Sequence, residues 1–226
     1  MAGAINATDA SKRYAVVTGG NKGIGFEICR QLACDGVTVV LTARNEQKGA
    51  EAVEKLRGLG LSDNVLFHRL DVTDASTVSS LVHFVNTNFG RLDILVNNAG
   101  IIGLVANESA LRASLGRLLN LMGAVSQNYE LSAECIEINY YGSKRMTEAF
   151  LPLLQQSKSP RIVNVTSAWS KLEVNCVNPG NAKTDLNYNT GKITAKEGAQ
   201  NIVRVALQPE DGPSGVFFDC KKIVAF

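Results

Sequence analysis

The chain has 226 residues, 45% of them hydrophobic and 19% charged, and a net charge of +2 spread without a basic run. That leaves room for one substantial core but no second full domain, and it favours a small-molecule partner over nucleic acid. Its five cysteines (Cys29, Cys34, Cys135, Cys176, Cys220) include no Cys-x-x-Cys pair, no apolar run nears the ~18 residues of a membrane span, and residues 1–13 lack a signal-like apolar stretch; a soluble, cytoplasmic protein without metal, disulfide or membrane partner is expected.

Residues 1–12 read as a flexible leader, and one domain is expected over 13–226. Apolar strand-like runs then alternate with helical patterns, which predicts an α/β fold, a Rossmann-like doubly wound parallel sheet in a single domain. The first strand, about Tyr14–Thr18, runs into Gly19-Gly-Asn-Lys-Gly23-Ile-Gly25, and Ile24, Ile28 and Leu32 at helical spacing follow to about Cys34. A strand, a turn with spaced glycines and a helix bring bare backbone and unpaired helix N–H groups up to an anion such as a pyrophosphate. Val37–Thr42 predicts strand two. Ala50, Val53 and Leu56 predict a helix that stops at Gly58 and Gly60. Val65–Leu70 predicts strand three, and Asp74 is placed to cap a helix through Val78, Leu81, Val82, Val85 and Phe89. Leu92–Val96 predicts strand four.

Beyond strand four, a Gly- and Ser-containing region extends to about Leu131, weakly helical over Leu111–Leu121. A long helix is expected from Ala133 to Leu154, then strand five at Arg161–Val165 and strand six at Val174–Val177. Thr194-x-x-Glu197 is a capping box that opens a helix to about Leu207, and Gly215–Phe218 predicts a last strand. The strand ends collect polar residues where open α/β sheets bind ligands: Arg44 after strand two, Asp71 and Val72 after strand three, Asn97 to Gly100 after strand four. A base at the end of strand two suits the 2′-phosphate of NADP, and Lys22 adds a second cation there.

Thr18-Gly-Gly-Asn-Lys-Gly-Ile-Gly25 and Asn97-Asn-Ala-Gly100 together resemble the Thr-Gly-x-x-x-Gly-x-Gly and Asn-Asn-Ala-Gly signatures of the short-chain dehydrogenase/reductase family. Asn139-Tyr-Tyr-Gly142, Ser167, Pro179-Gly180 and Thr184 match as well. The stretches Lys183–Gly191 and Gly212–Phe218 look like plant carbonyl reductases of the menthone/neomenthol and salutaridine reductase type. The resemblance implies reversible, NADP(H)-dependent hydride transfer between a small-molecule ketone or aldehyde and its alcohol, by a protein that is mostly monomeric among those relatives. It implies that Gly19, Asn21, Lys22, Gly23, Ile24 and Gly25 hold the pyrophosphate and ribose, and Arg44 the 2′-phosphate. Asp71 and Val72 would meet the adenine, Asn98, Ala99 and Gly100 the nicotinamide-side ribose, and Pro179, Gly180 and Thr184 the nicotinamide. Ser167 would bond the substrate carbonyl and Asn139 would hold a water of the proton relay.

The family also carries a Tyr-x-x-x-Lys helix between the serine and the Pro-Gly strand, with the tyrosine as proton donor. Here only the six residues Ala168–Glu173 stand there, without a tyrosine. Tyr140-x-x-x-Lys144 lies on the wrong element, and Tyr188-x-x-x-Lys192 contains Asn189 and Gly191, which favour a loop. The junction reads as an in-frame deletion, with the crossover helix between strands five and six missing. A parallel pair normally needs a crossover of at least ~10–12 residues, so strands five and six are expected not to pair in parallel. Lost helix packing and reduced stability are expected with it.

Overall fold

A computed structural model of the chain describes residues 12–106, 125–166, 176–187, 189–209, 212–213 and 216–224. The expected leader, the weak helix over Leu111–Leu121, Ser167, Tyr188 and the Ala168–Glu173 junction with its missing helix all lie outside the described residues.

The central apolar runs, Tyr14–Val17, Thr38–Ala43 and Ile94–Asn97, become strands because each can bury both faces under helices. The strands are β1 (Tyr14–Val17), β2 (Thr38–Ala43), β3 (Val65–Arg69), β4 (Ile94–Asn97), β7 (Arg161–Val165), β8 (Cys176–Asn178), β9 (Phe217–Asp219) and β10 (Lys222–Val224). They form one sheet in the order β10-β9-β8-β7-β4-β1-β2-β3, parallel except for the antiparallel β10. A separate antiparallel pair joins β5 (Val105–Ala106) to β6 (Val125–Ser126).

Alternation along each strand sorts side chains between two cores. Ala15, Val17, Val39, Leu41, Ile94 and Val96 face α1 (Gly23–Cys34), α2 (Glu46–Arg57) and a C-terminal helix, Ala195–Ala206. Tyr14, Val16, Val40 and Leu95 face α3 (Ala75–Phe89) and the helix Ser143–Leu154, through Leu81, Val85, Met146 and Phe150. Among the described residues, β8 and β9 contribute Val177 and Phe218 to the first core and nothing to the second.

The predicted caps form. Asp74 Oδ1 accepts from the Ser76 N–H at 2.9 Å. Thr194 Oγ1 accepts from the Glu197 N–H at 3.2 Å while Glu197 Oε2 accepts from the Thr194 N–H at 2.7 Å. The expected helix from Ala133 to Leu154 forms, but it starts earlier, at Tyr129, and widens in its middle. Asn128 caps α4 (Tyr129–Ile136), a wide turn follows at Glu137–Gly142, and α5 (Ser143–Leu154) completes the run, so that Ala195–Ala206 is α6. The last strand begins at Phe217, and its partner β10, missed in the sequence, turns back at Cys220, which has φ +55°.

The expectation that strands five and six do not pair in parallel is wrong. β7 and β8 are parallel neighbours, with Asn164 opposite Cys176, Val165 opposite Val177 and the Thr166 N–H donating to Val177 O at 3.0 Å. The described part of the second strand is Cys176–Asn178, and Val174, where the sequence argument began it, lies outside the described residues. Ten residues, 166–175, stand between the two described strands, and ten residues can span about 33–36 Å when extended, far more than so short a ladder requires. β9 secures the other edge of β8 in parallel, helped by a bond from the Cys220 N–H to Asn178 O at 2.9 Å.

Candidate active site

Thr18, at the end of β1 and 1% exposed, is the junction of the site. Its Oγ1 accepts the Asn98 and Ala99 N–H groups at 2.9 and 2.8 Å, and Asn98 Nδ2 donates to the carbonyls of Thr18 (2.9 Å) and Gly19 (3.1 Å). The glycine turn and the Asn-Asn-Ala-Gly turn are thereby one rigid unit, because their parent strands are neighbours in the sheet. Gly19 and Gly23 sit at φ +65° and +57°, where side chains are strained. Gly25 has no room for a Cβ, which would collide with the Gly19 carbonyl and lie 2.5 Å from Asn98 Nδ2. The turn thus presents bare backbone and the first N–H groups of α1 at the carboxyl edge of the sheet, a cradle suited to a phosphate.

Around that cradle the structure places most of the remaining expected residues at the same edge. Arg44 follows directly on β2 and is exposed. Lys22 Nζ lies 2.9 Å from Asp185 Oδ2. The Asp185 carboxyl is held below its ordinary range, first by that hydrogen bond and the Lys22 charge and further by Lys48. Asp71 turns its carboxylate onto its own loop, accepting from Thr73 N (3.0 Å) and Thr73 Oγ1 (2.7 Å). Val72 is buried against Gly142, and its carbonyl accepts from Arg145, which also pairs with Glu137 at 2.9 Å. Asn97 Nδ2 ties β4 to β7 through Asn164 Oδ1 at 2.8 Å. Pro179 O accepts from Asn201 Nδ2 at 3.1 Å, Gly180 adopts φ +91°, and Thr184 packs its methyl group over Gly23.

Asn139 lies in the wide turn between α4 and α5, and both ends of its amide are committed to Ile101. Its Oδ1 accepts from Ile101 N at 2.9 Å and its Nδ2 donates to Ile101 O at 2.8 Å. Helical turns of this kind recur at functional sites. Here the turn reaches the backbone just after Gly100. Of the two spare tyrosine–lysine pairs, Tyr140 and Lys144 form no donor unit, and Tyr188 of the other lies outside the described residues. Tyr140 and Tyr141 are about half exposed and stack edge-to-face on each other, while Lys144 pairs with Glu148 at 3.8 Å. Lys192 is exposed in a loop where Asn189 has φ +59°.

Sequence reading missed the part played by the Thr18 hydroxyl, and it missed Asp185 and Lys48. Asp185 carries no local signal, since its partner lies 163 positions away. Lys48 could have been found from the Asn45 cap, whose Oδ1 accepts from the Lys48 N–H at 2.9 Å and so fixes the first turn of α2 just beyond Arg44. His68, bonded to Arg69 O and Ser80, has a structural role. Burial pushes the Cys29 thiol far up, which leaves it unreactive. Among the described residues no group of His, Cys, Asp or Glu gathers as metal ligands, and no helix is long and apolar enough to cross a membrane.

Residues 13–174 match the short chain dehydrogenase family model, and the chain belongs to that family. It is 41% identical to a (+)-neomenthol dehydrogenase of Capsicum annuum, over 96% of this chain and 98% of that protein. The solved structure of salutaridine reductase from Papaver somniferum superposes with a TM-score of 0.85 at 39% identity, covering 92% of this chain and 100% of that one. Carbonyl reductase [NADPH] 1 of Bos taurus is 34% identical over 83% of this chain and 60% of its own length. The alignment with the Capsicum protein runs over 309 positions, so at least 83 of them (309 less the 226 residues here) stand opposite gaps in this chain.

Proposed function

We propose that the chain is an NADP(H)-binding oxidoreductase of the carbonyl reductase kind that keeps the dinucleotide half of the site and lacks the proton-donating half. The observation that carries the reading is the unit built on Thr18, a glycine cradle joined to Asn98–Gly100 with Lys22 and Arg44 at its rim. Gly19, Asn21, Gly23, Ile24 and Gly25 bind the pyrophosphate and its ribose, and Lys22 and Arg44 bind the 2′-phosphate. Asp71 and Val72 border the adenine, Asn98, Ala99 and Gly100 the second ribose, and Pro179, Gly180 and Thr184 the nicotinamide. When bound, the cofactor supplies or takes up the hydride exchanged with a small ketone, aldehyde or alcohol. Ser167 hydrogen-bonds the substrate oxygen, and Asn139 holds the Ile101 backbone beside it in the family's relay position.

Protonating the developing alkoxide needs a donor of suitable pKa, and general acid–base help of this sort is worth roughly 10²–10⁴-fold. The gaps opposite the Capsicum protein and the solvent-facing Tyr140 and Lys144 both support a chain that has lost its donor, and the protein is read as a truncated, monomeric, cytoplasmic form. An alternative follows from the same observations, that the chain is a non-catalytic NADP(H)-binding protein. Titrating NADPH fluorescence tests the shared part of both readings: saturable binding, weakened by Arg44→Asp, is expected, and no saturation refutes them. Turnover of carbonyl substrates is then compared with a chain in which the gapped positions are restored from a relative. A rate about 10²–10⁴-fold below the restored chain is expected; equal rates refute the loss of the donor.

A further inference from the structure

An ion pair crosses from the glycine turn to the loop after β8. Lys22 and Asp185 meet at 2.9 Å with side chains 64% and 66% exposed, so the pair adds little to stability. Its geometry is nevertheless braced. Thr184, the preceding residue, lies against Gly23, and its N–H donates to Asn187 Oδ1 at 3.1 Å. Asn187 Nδ2 in turn bonds Asn181 Oδ1 and Ala182 O at 3.0 and 2.8 Å. A short helical turn, Asp185–Asn187, thus presents one carboxylate to the lysine at the mouth of the cradle.

This inference rests on the reading that Lys22 meets the 2′-phosphate. We propose that Asp185 is a competing counter-ion for Lys22, displaced only by a dinucleotide that carries the 2′-phosphate, so that Asp185 limits the preference for the phosphorylated cofactor over the unphosphorylated one. A dinucleotide without that phosphate leaves the Lys22–Asp185 pair intact and meets no competition. One with it exchanges a carboxylate for a phosphate of higher charge on Lys22 and must first break that pair, a competition that salt screens. Asp185 therefore acts on specificity through Lys22 and touches neither the hydride nor the substrate.

The test is a fluorescence titration of NADPH and NADH at low ionic strength, with the unaltered chain, Asp185→Asn, Lys22→Met and the double variant. Asp185 is exposed, and a thermal melt checks that each variant folds; Asp185→Ser serves as a second removal of the charge. Asp185→Asn is expected to tighten NADPH about two- to five-fold and to leave NADH unchanged. The gain is expected to vanish in the Lys22→Met background. Equal tightening of both cofactors, tightening that survives without Lys22, or no tightening where Arg44→Asp still weakens NADPH overturns this inference alone. No saturable NADPH binding by the unaltered chain overturns the cofactor reading and this inference with it.

Discussion

The Thr18 hydroxyl satisfies two backbone N–H groups that have no other role in the sheet, those of Asn98 and Ala99. Thr18→Val keeps the shape and leaves both half-buried donors without an acceptor, which is expected to cost about 1–2 kcal/mol in urea unfolding and to weaken NADPH binding, whereas Thr18→Ser preserves both. Gly25→Ala fails for a different reason, since its methyl group would occupy the place of the Gly19 carbonyl. A loss of about 1–3 kcal/mol is expected, again with weaker NADPH binding, and a fully stable Gly25→Ala chain would contradict the packing described. Residues of these two kinds differ in how they show in sequence. Glycines that must be bare announce themselves by spacing after an apolar run, so Gly19, Gly23 and Gly25 were legible. A hydroxyl whose partners lie 80 positions away, or a carboxylate paired across 163, has no local signature.

At the level of elements, the caps set the acid limb of stability. The Glu197 carboxyl is held below its ordinary value by the Thr194 N–H and then by the Thr194 hydroxyl, and Asp74 is lowered by the Ser76 hydroxyl and then the Ser76 N–H. The folded chain keeps both groups ionised to lower pH than the unfolded chain does, so unfolding takes up protons on the acid side. Their contribution is fully present above about pH 5 and is lost as the pH falls below about 4. Urea midpoints measured from pH 7 down to 3 are expected to fall less steeply for Glu197→Gln, which can still cap through its amide oxygen; parallel limbs would exclude the role. α4 has no buried residue, and Tyr129 and Ile136 are 83% and 54% exposed, whereas α1 buries Ile28, Cys29 and Leu32. Amide exchange is expected to be about tenfold or more faster in Tyr129–Ile136 than in Gly23–Cys34. Caps at Asp74 and Thr194 were legible because their partners lie within one helical turn. The wide turn at Glu137–Gly142 was not, because it follows from Asn139 reaching Ile101 on another segment.

Across the whole molecule, the alternation of strands and helices was enough to specify the parallel sheet, since the central runs had both faces to bury. The β7–β8 pairing was misjudged because a usual crossover length was treated as a limit, when chain reach and the partner strand β9 decide it. If the gapped positions supply the helix over that end of the sheet, restoring them should cover apolar surface such as Ile136, Tyr140 and Tyr141. A gain of roughly 1 kcal/mol for each side chain covered is expected in urea unfolding, and a restored chain no more stable than this one would argue against it.

The strand order has a consequence for synthesis. β3, β2, β1 and β4 lie side by side and are complete once Asn97 has been made, whereas β7 to β10 only extend that block on the β4 side. On a ribosome adding about 5–20 residues each second, the glycine turn and its Thr18 clasp can therefore close while the second half of the message is still being read. A change confined to the later part of a transcript would meet a half-sheet already formed, its edge at β4 open to whatever chain comes next.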